Sequence, residues 1–533
     1  MKSARKKPLS VPVFLFLLTL LVGWLLAPLG GSDANTARYL SQAVSLVDSG
    51  TFSINGYEAS SCDISLVDDL FYPATPPGLP VAISPLVWVS ALVYDHLPDG
   101  LRDRFVAAAA PIAPIPDEEL RAETENIGPR VNVDEAGWVR FLVISTAIRM
   151  LVSTPIMFLF LLGVYRLLKL VFPKVSNREL ALACTILFLA THIIYFAGRL
   201  YSHVLGAAII VWAIYLLLSN DRGEGWKAVV AGILTASLPL TDYILGVVGL
   251  LIGIIALFKL KRWKGYLQYG FATLPFVFFF LVYHTIHMGG PLTLAHAHII
   301  NENHIDGLYG IKYPSLSAIG MILWGRIGGF FLFAPIALPC FVATLWPMKN
   351  ATKDAWVRYF YLLIFVVVLV IFSSYQADIV GGLLWWGPRY LVPVTAVLSF
   401  GCVRILQSRW RRPFLIFAGF AAVLGFLAAS APFDRVEWKS VTVMPDLIKA
   451  TLQEGISLPF LMVIEELGIL PANKVLFQSF ALLVIGVVSW IGYTLWCRID
   501  SGEAELPSPR LPDVGSQDDE NGGLPAENLG NSS

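Results

Sequence analysis

Apolar runs long enough to cross a bilayer as helices, about 20 residues each, recur along this 533-residue chain. They fall at roughly 9–29, 139–165, 180–198, 202–219, 227–242, 244–258, 266–284, 328–347, 356–373, 389–406, 413–430 and 475–497. Basic connectors occur at 166–178, 259–264, 349–358 and 404–412, and Lys2, Arg5, Lys6 and Lys7 precede the first run. Positive charge stays on the cytoplasmic side of a membrane. With these connectors inside, the loops 30–138, 199–201, 243, 285–327, 374–388 and 431–474 are exterior, and both termini are cytoplasmic. The expected fold is all-α: a polytopic membrane protein of about 12 transmembrane helices. The first run resembles a signal peptide, but the many spans after it favour an uncleaved anchor.

One apolar segment does not fit that count. Residues 77–94 are apolar enough to span, yet spanning would turn the acidic stretch 117–135 inward and the basic 166–178 loop outward. Pro76-Pro77-Gly78, Pro80 and Pro85 also suit an irregular start better than a plain span. The segment is therefore expected to be interfacial or re-entrant. A second surface helix is expected from Thr36 to Ser49. Ala37, Leu40, Val44 and Val47 share one face there, and Gly50 can end the helix. The chain then divides into a transmembrane module over 1–430, an exterior loop and last helix over 431–500, and a tail over 501–533. The tail is rich in Gly, Pro, Ser, Asn and acids and is expected to be disordered and cytoplasmic.

Composition narrows the function. The chain is 56% hydrophobic and 14% charged, with a formal net charge of zero, which gives no sign of a nucleic-acid partner. Of its five cysteines only Cys62 falls in a clear exterior loop, and no Cys-x-x-Cys pair occurs, so no structural disulfide is expected.

The unusual polar residues sit in or beside the exterior loops. Asp33 follows the first span and precedes the surface helix, which puts a carboxylate at the bilayer surface. A general base acting on a lipid-linked substrate needs that position. On position alone, an N-cap or solvated-loop role weighs equally. Arg326 and Arg389 lie at exterior span ends among glycines and aromatics. Arg offers a fixed fork of donors that matches phosphate, and snorkelling beside an aromatic belt is the plainer explanation of either one alone. His203 and Asp242 lie at the exterior ends of short spans, where function competes with packing or capping. Five of the eight histidines, His284, His287, His296, His298 and His304, crowd one stretch. Imidazole suits zinc, but no second ligand set with metal spacing accompanies them. Interfacial hydrogen bonding ranks above a metal site. No metal ligand is assigned, and a divalent ion stays an open alternative.

Taken together, the motifs resemble the GT-C superfamily of polytopic glycosyltransferases, nearest to prokaryotic relatives of protein O-mannosyltransferases and of the lipid A aminoarabinose transferase. Ser32-Asp33-Ala-Asn-Thr-Ala-Arg-Tyr39 is similar to that family's Gly-Asp-Glu-x-x-Tyr opening. Phe71-Tyr72-Pro-Ala-Thr-Pro-Pro-Gly-Leu-Pro80 is similar to its Lys-Pro-Pro-Gly-Leu-Pro element. Tyr201-Ser202-His203, Thr241-Asp242-Tyr243, Gly290-Pro291-Leu292-Thr293, Gly325-Arg326 through Phe331 and Trp386-Gly387-Pro388-Arg389-Tyr390 complete the match, which covers about residues 10–430. Ala34, Thr75 and His203 depart from the family's usual residues and leave the sugar donor and any metal requirement unassigned.

The resemblance implies transfer of a sugar from a polyprenyl-phosphate carrier to an exterior hydroxyl of a lipid, glycan or protein, with inversion. Asp33 would be the catalytic base, and Arg389, then Arg326, would hold the donor phosphate. Substrate contacts would come from Arg38, Tyr39, Tyr72, His203, Asp242, His296, His298, Trp386 and Tyr390. The implied location is the cell membrane, with the site on the exterior face. A lipid-linked sugar flippase and a non-catalytic membrane scaffold remain as other readings.

Overall fold

The computed structural model describes residues 9–27, 34–57, 64–109, 135–300, 312–326, 328–348, 351–375, 387–430 and 473–499, together with residues 449, 453, 455, 456, 458 and 461. Almost all of the regular structure is helical. Helix α1 spans Val11–Leu26 and α2 Ala34–Asp48; α3 (Gly78–Asp95), α4 (Asp99–Ala109) and α5 (Glu135–Ile148) follow. Then come α6 (Thr154–Val171), α7 (Asn177–Leu189), α8 (Ser202–Leu218), α9 (Trp226–Thr241), α10 (Tyr243–Lys259) and α11 (Trp263–His287). The last third holds α12 (Leu316–Trp324), α13 (Phe330–Phe333), α14 (Ala337–Leu345), α15 (Val357–Ser374), α16 (Val397–Leu406), α17 (Arg411–Ala429) and α18 (Lys474–Cys497). Among the described residues, 6 helical segments are long and apolar enough to cross a membrane, and shorter apolar helices accompany them. This is an all-α polytopic membrane protein.

The connectors rich in basic residues gather at one end of the bundle. Leu9 N–H donates to Arg498 O at 2.7 Å. Arg178 Nε donates to Ile499 O at 2.9 Å, Arg411 pairs with Glu179 at 2.9 Å, and Lys259 pairs with Asp354 at 2.9 Å. Each of these ties the ends of helices distant in sequence.

Several expected spans are broken rather than continuous. The run 180–198 stops at Leu189, because Thr191 is extended and its hydroxyl accepts from Ile193 N–H at 3.2 Å while donating to Leu187 O at 2.7 Å. The run 328–347 is divided between α13 and α14 beside Pro335. The run 389–406 opens as a 3₁₀ segment, Arg389–Val394, that contains Pro393. Proline lacks the N–H that a continuing helix needs.

Helices α5 and α6 join through a π-turn, Arg149–Ser153, into one helical segment, Gly137–Val171, of 35 residues. At about 1.5 Å per residue that is about 52 Å, well beyond a hydrocarbon core of about 30 Å. The indole N–H of Trp24, in the last turns of α1, donates to Met150 O at 3.3 Å. The part of the long helix before the π-turn therefore runs on past the end of α1.

That projecting part supports α2 and α3. Arg140 donates to Asp48 at the end of α2 at 2.8 Å and to Asp95 at the end of α3 at 2.8 Å. The start of α3 lies against the end of α9: a Cβ built at Gly78 falls 2.3 Å from Leu240 O. Both ends of α3 thus meet the same end of the bundle. Its buried face carries Leu79, Ile83, Val87 and Ala91. Its other face exposes Val81, Leu86, Trp88, Val89 and Val93, as a helix lying at an apolar interface does. Gly50, at φ 66, closes α2 in a left-handed conformation that glycine adopts without strain.

A hairpin interrupts the helices. Strands β1 (Ile64–Val67) and β2 (Leu70–Pro73) pair antiparallel around Asp68 and Asp69, both at positive φ. Ser65 Oγ donates to Ala295 O at 2.7 Å, and Ile300 N–H donates to Ile64 O at 3.1 Å. The hairpin is thereby tied to the loop after α11, and its second strand leads directly into Ala74-Thr75-Pro76.

Candidate functional site

At the end of the bundle away from the basic connectors, seven separate parts of the chain surround a cavity of about 90 Å³. Arg38 and Tyr39 come from α2, and Thr75 and Pro76 from the segment after the hairpin. His203 opens α8, Asp242 stands between α9 and α10, and His296 lies in the loop after α11. Tyr375 and Tyr390 complete the lining. Of the residues selected from sequence, Arg38, Tyr39, His203, Asp242, His296 and Tyr390 are brought together here.

Local geometry explains Asp242. It is extended, at φ −160 and ψ 132, and ends α9 while starting α10. Its Oδ1 accepts from Ile244 N–H at 3.0 Å, an N-cap. Its Oδ2 lies 3.0 Å from His203 Nδ1. A carboxylate only accepts, so Nδ1 carries the proton in this pair. Ser202 Oγ is 3.2 Å from the same nitrogen, and Tyr39 OH donates to Ser202 Oγ at 2.8 Å. Burial pushes the Tyr39 hydroxyl above its usual value against the opposing charge of Arg38, and so keeps it protonated and a donor. The imidazole is thus oriented from one side by Asp242 and Ser202. Its Nε2 is buried and has no hydrogen-bond partner among the described residues. The ring lies 4.9 Å, centroid to centroid, from that of Tyr390.

Positive charge surrounds this pair. Arg389 is 3% exposed and Arg38 is 7% exposed. Arg389 Nη2 donates to Tyr390 OH at 3.3 Å, and its guanidinium carbon lies 5.1 Å from the Tyr390 ring centroid. The charges of both arginines are felt at His203. Guanidinium groups carry fixed forks of donors that match the oxygens of an anion. The chemistry these groups offer is anion binding beside an oriented imidazole.

The other selected residues lie elsewhere. Tyr72 OH is 3.4 Å from His287 Nδ1, in a cluster with Tyr283 and Met288. His298 Nε2 is 3.2 Å from Met288 O, to which it donates, and is bound up in the loop fold. Arg326 is exposed after α12 and does not line the pocket. Asp33, Trp386 and His304 lie outside the described residues. Among the described residues, no three of His, Cys, Asp or Glu come close enough to hold a metal ion.

Sequence reasoning did not select Tyr243, Thr75 or Tyr375 as site residues, although Tyr243 and Thr75 fall within its motifs. Tyr243 OH is 3.0 Å from His284 Nε2, while His284 Nδ1 donates to Phe280 O at 2.7 Å. The Tyr243 and Tyr375 rings face His296 at centroid distances of 5.6 and 6.1 Å. The available signal was adjacency, since Tyr243 follows Asp242 and Tyr375 ends an apolar run.

Beside the polar pocket lies an apolar groove of about 480 Å³, walled by α3, α8, α9 and α11. Val81, Ile209, Leu234 and Phe279 line it, and Thr241 lines both cavities.

A basic, aromatic pocket opening beside an apolar groove in a helical membrane bundle is the arrangement that an amphiphilic ligand with an anionic head would fit. Among solved structures, the chain is similar to ArnT from Cupriavidus metallidurans, bound to undecaprenyl phosphate and in the apo state. Identity is 17% and 16%, with TM-scores of 0.46 and 0.45, covering 91% of this chain and 75% of those chains. No protein-family model matches the chain, and no curated protein does.

Proposed function

We propose that this protein is a membrane glycosyltransferase that takes a sugar from a polyprenyl-phosphate carrier and passes it to an acceptor hydroxyl on the exterior face. The observation that carries this reading is the junction at Thr241 of a cationic pocket with an apolar groove. The pocket suits the phosphate and sugar, and the groove suits the prenyl chain.

In the proposed reaction the acceptor oxygen attacks the anomeric carbon from the face opposite the phosphate. The bond from that carbon to the phosphate oxygen breaks, the phosphate keeps the electron pair, and configuration inverts. Asp33 takes the acceptor proton. It precedes in sequence the helix that brings Arg38 and Tyr39 to the pocket. The leaving group is already a phosphate, so stabilising its charge is the main electrostatic task. Arg389 and Arg38 serve it, Arg389 with the fork that matches phosphate oxygens. His203, held by Asp242, presents Nε2 to the donor or acceptor.

The test uses a deletion strain, in which an unused carrier-linked donor accumulates and can be extracted. Wild-type protein should transfer its sugar, and Asp33→Asn should lower turnover by about 10²–10⁴-fold without loss of folding. Wild-type turnover by the variant would remove Asp33 as base. Movement of intact carrier lipid across vesicles without glycosyl product would replace the transferase reading by a flippase.

A further inference from the structure

The basic end of the bundle holds a second cleft that takes no part in the proposed reaction. It lies between α14, α16 and α17 and has a volume of about 700 Å³. Its walls are apolar, with Leu338, Val342, Phe414 and Phe417 along them. Arg404 and Arg409 stand on its rim with Trp346 and Trp410, and no carboxylate lines it among the described residues.

The rim is held in place. Arg358 Nη1 donates to Trp346 O at 2.7 Å and fixes the chain where α14 ends. Trp410 N–H donates to Ser408 Oγ at 3.1 Å, and the Arg409 guanidinium lies 5.6 Å from the Trp410 ring centroid. Nearby acids at this end are already engaged, Glu179 by Arg411 and Asp354 by Lys259. Arg404 Nε is buried with no hydrogen-bond partner among the described residues. Trp346 and Trp410 remain 56% and 59% exposed, as do the apolar walls in part. Tryptophans exposed in this way sit at the headgroup level of a bilayer, which puts the two arginines at phosphate depth and the apolar walls among acyl chains.

We propose that this cleft binds an anionic phospholipid. Its phosphate lies between Arg404 and Arg409, and an acyl chain lies along Leu338, Val342 and Phe417. Charge selects the occupant. Two cations without a lining acid favour a headgroup of net negative charge and disfavour one that carries its own ammonium. The apolar walls exclude inorganic phosphate as a sufficient ligand. The proposal is independent of the transferase reading.

The test is native mass spectrometry of the full chain in detergent, titrated with phosphatidylglycerol or phosphatidylcholine. Phosphatidylglycerol should be retained and phosphatidylcholine should not, and millimolar inorganic phosphate should not displace the lipid. Arg404→Gln and Arg409→Gln should each weaken retention about fivefold, from about 1 kcal/mol per basic residue near the surface. Arg262→Gln, an exposed arginine paired with Glu224, should change nothing. Arg409 is exposed, so its variant decides the matter even where Arg404→Gln does not fold. Equal retention of the two lipids, displacement by phosphate, wild-type retention by Arg409→Gln or an equal loss in Arg262→Gln would each overturn the proposal.

Discussion

Asp242 has two duties that two substitutions separate. Its Oδ1 caps α10 through Ile244 N–H, and its Oδ2 holds His203 Nδ1. Asparagine keeps an oxygen for the cap, and Asn and Asp cap helices about equally well. With that oxygen engaged, the second position becomes an NH₂, which cannot accept from His203. Asp242→Asn therefore removes the imidazole contact alone, at about 1.5–3 kcal/mol for a hydrogen bond to a charged group. Asp242→Ala removes the cap as well, adding about 1 kcal/mol. Unfolding midpoints in detergent should rank wild type above Asn above Ala. Turnover should behave differently. If an oriented His203 Nε2 contributes to transfer, both variants should lose about 10²-fold or more, measured as initial rates with donor extracted from a deletion strain. Equal stability losses for Asn and Ala would show that the cap contributes nothing. Wild-type turnover in Asp242→Asn would refute a functional role for the Asp242–His203 pair.

Gly78→Ala should destabilise the protein by about 1–3 kcal/mol, as overpacking does, because its Cβ would lie 2.3 Å from Leu240 O on a backbone that cannot yield; an unchanged melting profile would deny the close approach of α3 to α9. Hydrogen bonds from Arg140 hold the Asp95 carboxyl below its usual range, so this contribution is complete above an unfolded-state value of about 3.9 and is lost as pH falls through the lower folded-state value. Arg140→Met should accordingly lower the melting point at pH 7 and leave a shallower decline below pH 4, read by thermal unfolding across pH. Arg389→Lys should keep the charge yet weaken binding of a polyprenyl phosphate probe, since a point charge cannot reproduce the two-point contact; equal affinity by native mass spectrometry would mark Arg389 as a structural cation.

The helices were legible because their causes are local. Run length set the spans, and the spacing of Ala37, Leu40 and Val44 with Gly50 after them set α2. The break at Thr191 was not legible, since it depends on a hydroxyl bonding its own backbone inside an otherwise apolar run. For the pocket, the chain marked polar residues at span ends but not their neighbours. Tyr39 and Ser202 meet across 163 positions, and His203 meets Asp242 only because α8 and α10 begin side by side. Tyr375 at the end of an apolar run and Thr75 before Pro76-Pro77 come to one pocket only through tertiary packing. Arg326 shares the composition of Arg389, a cation among glycines and aromatics, yet the two are placed differently by the turns around them.

The π-turn at Arg149–Ser153 also acts as a phase setter. One extra residue in a helix rotates everything beyond it by about 100° and advances it by about 1.5 Å. The face of α5 that points at α2 and α3 is thereby uncoupled from the face of α6 that packs against α1 and α8. Deleting any one residue of that turn would restore a plain helix and leave the membrane half in register. It would also swing Arg140 about a quarter of the way round the axis, away from both carboxylates. The angular setting of the surface helices, and with them the Arg38 and Tyr39 wall of the pocket, is in this sense written into the count of residues in a single turn.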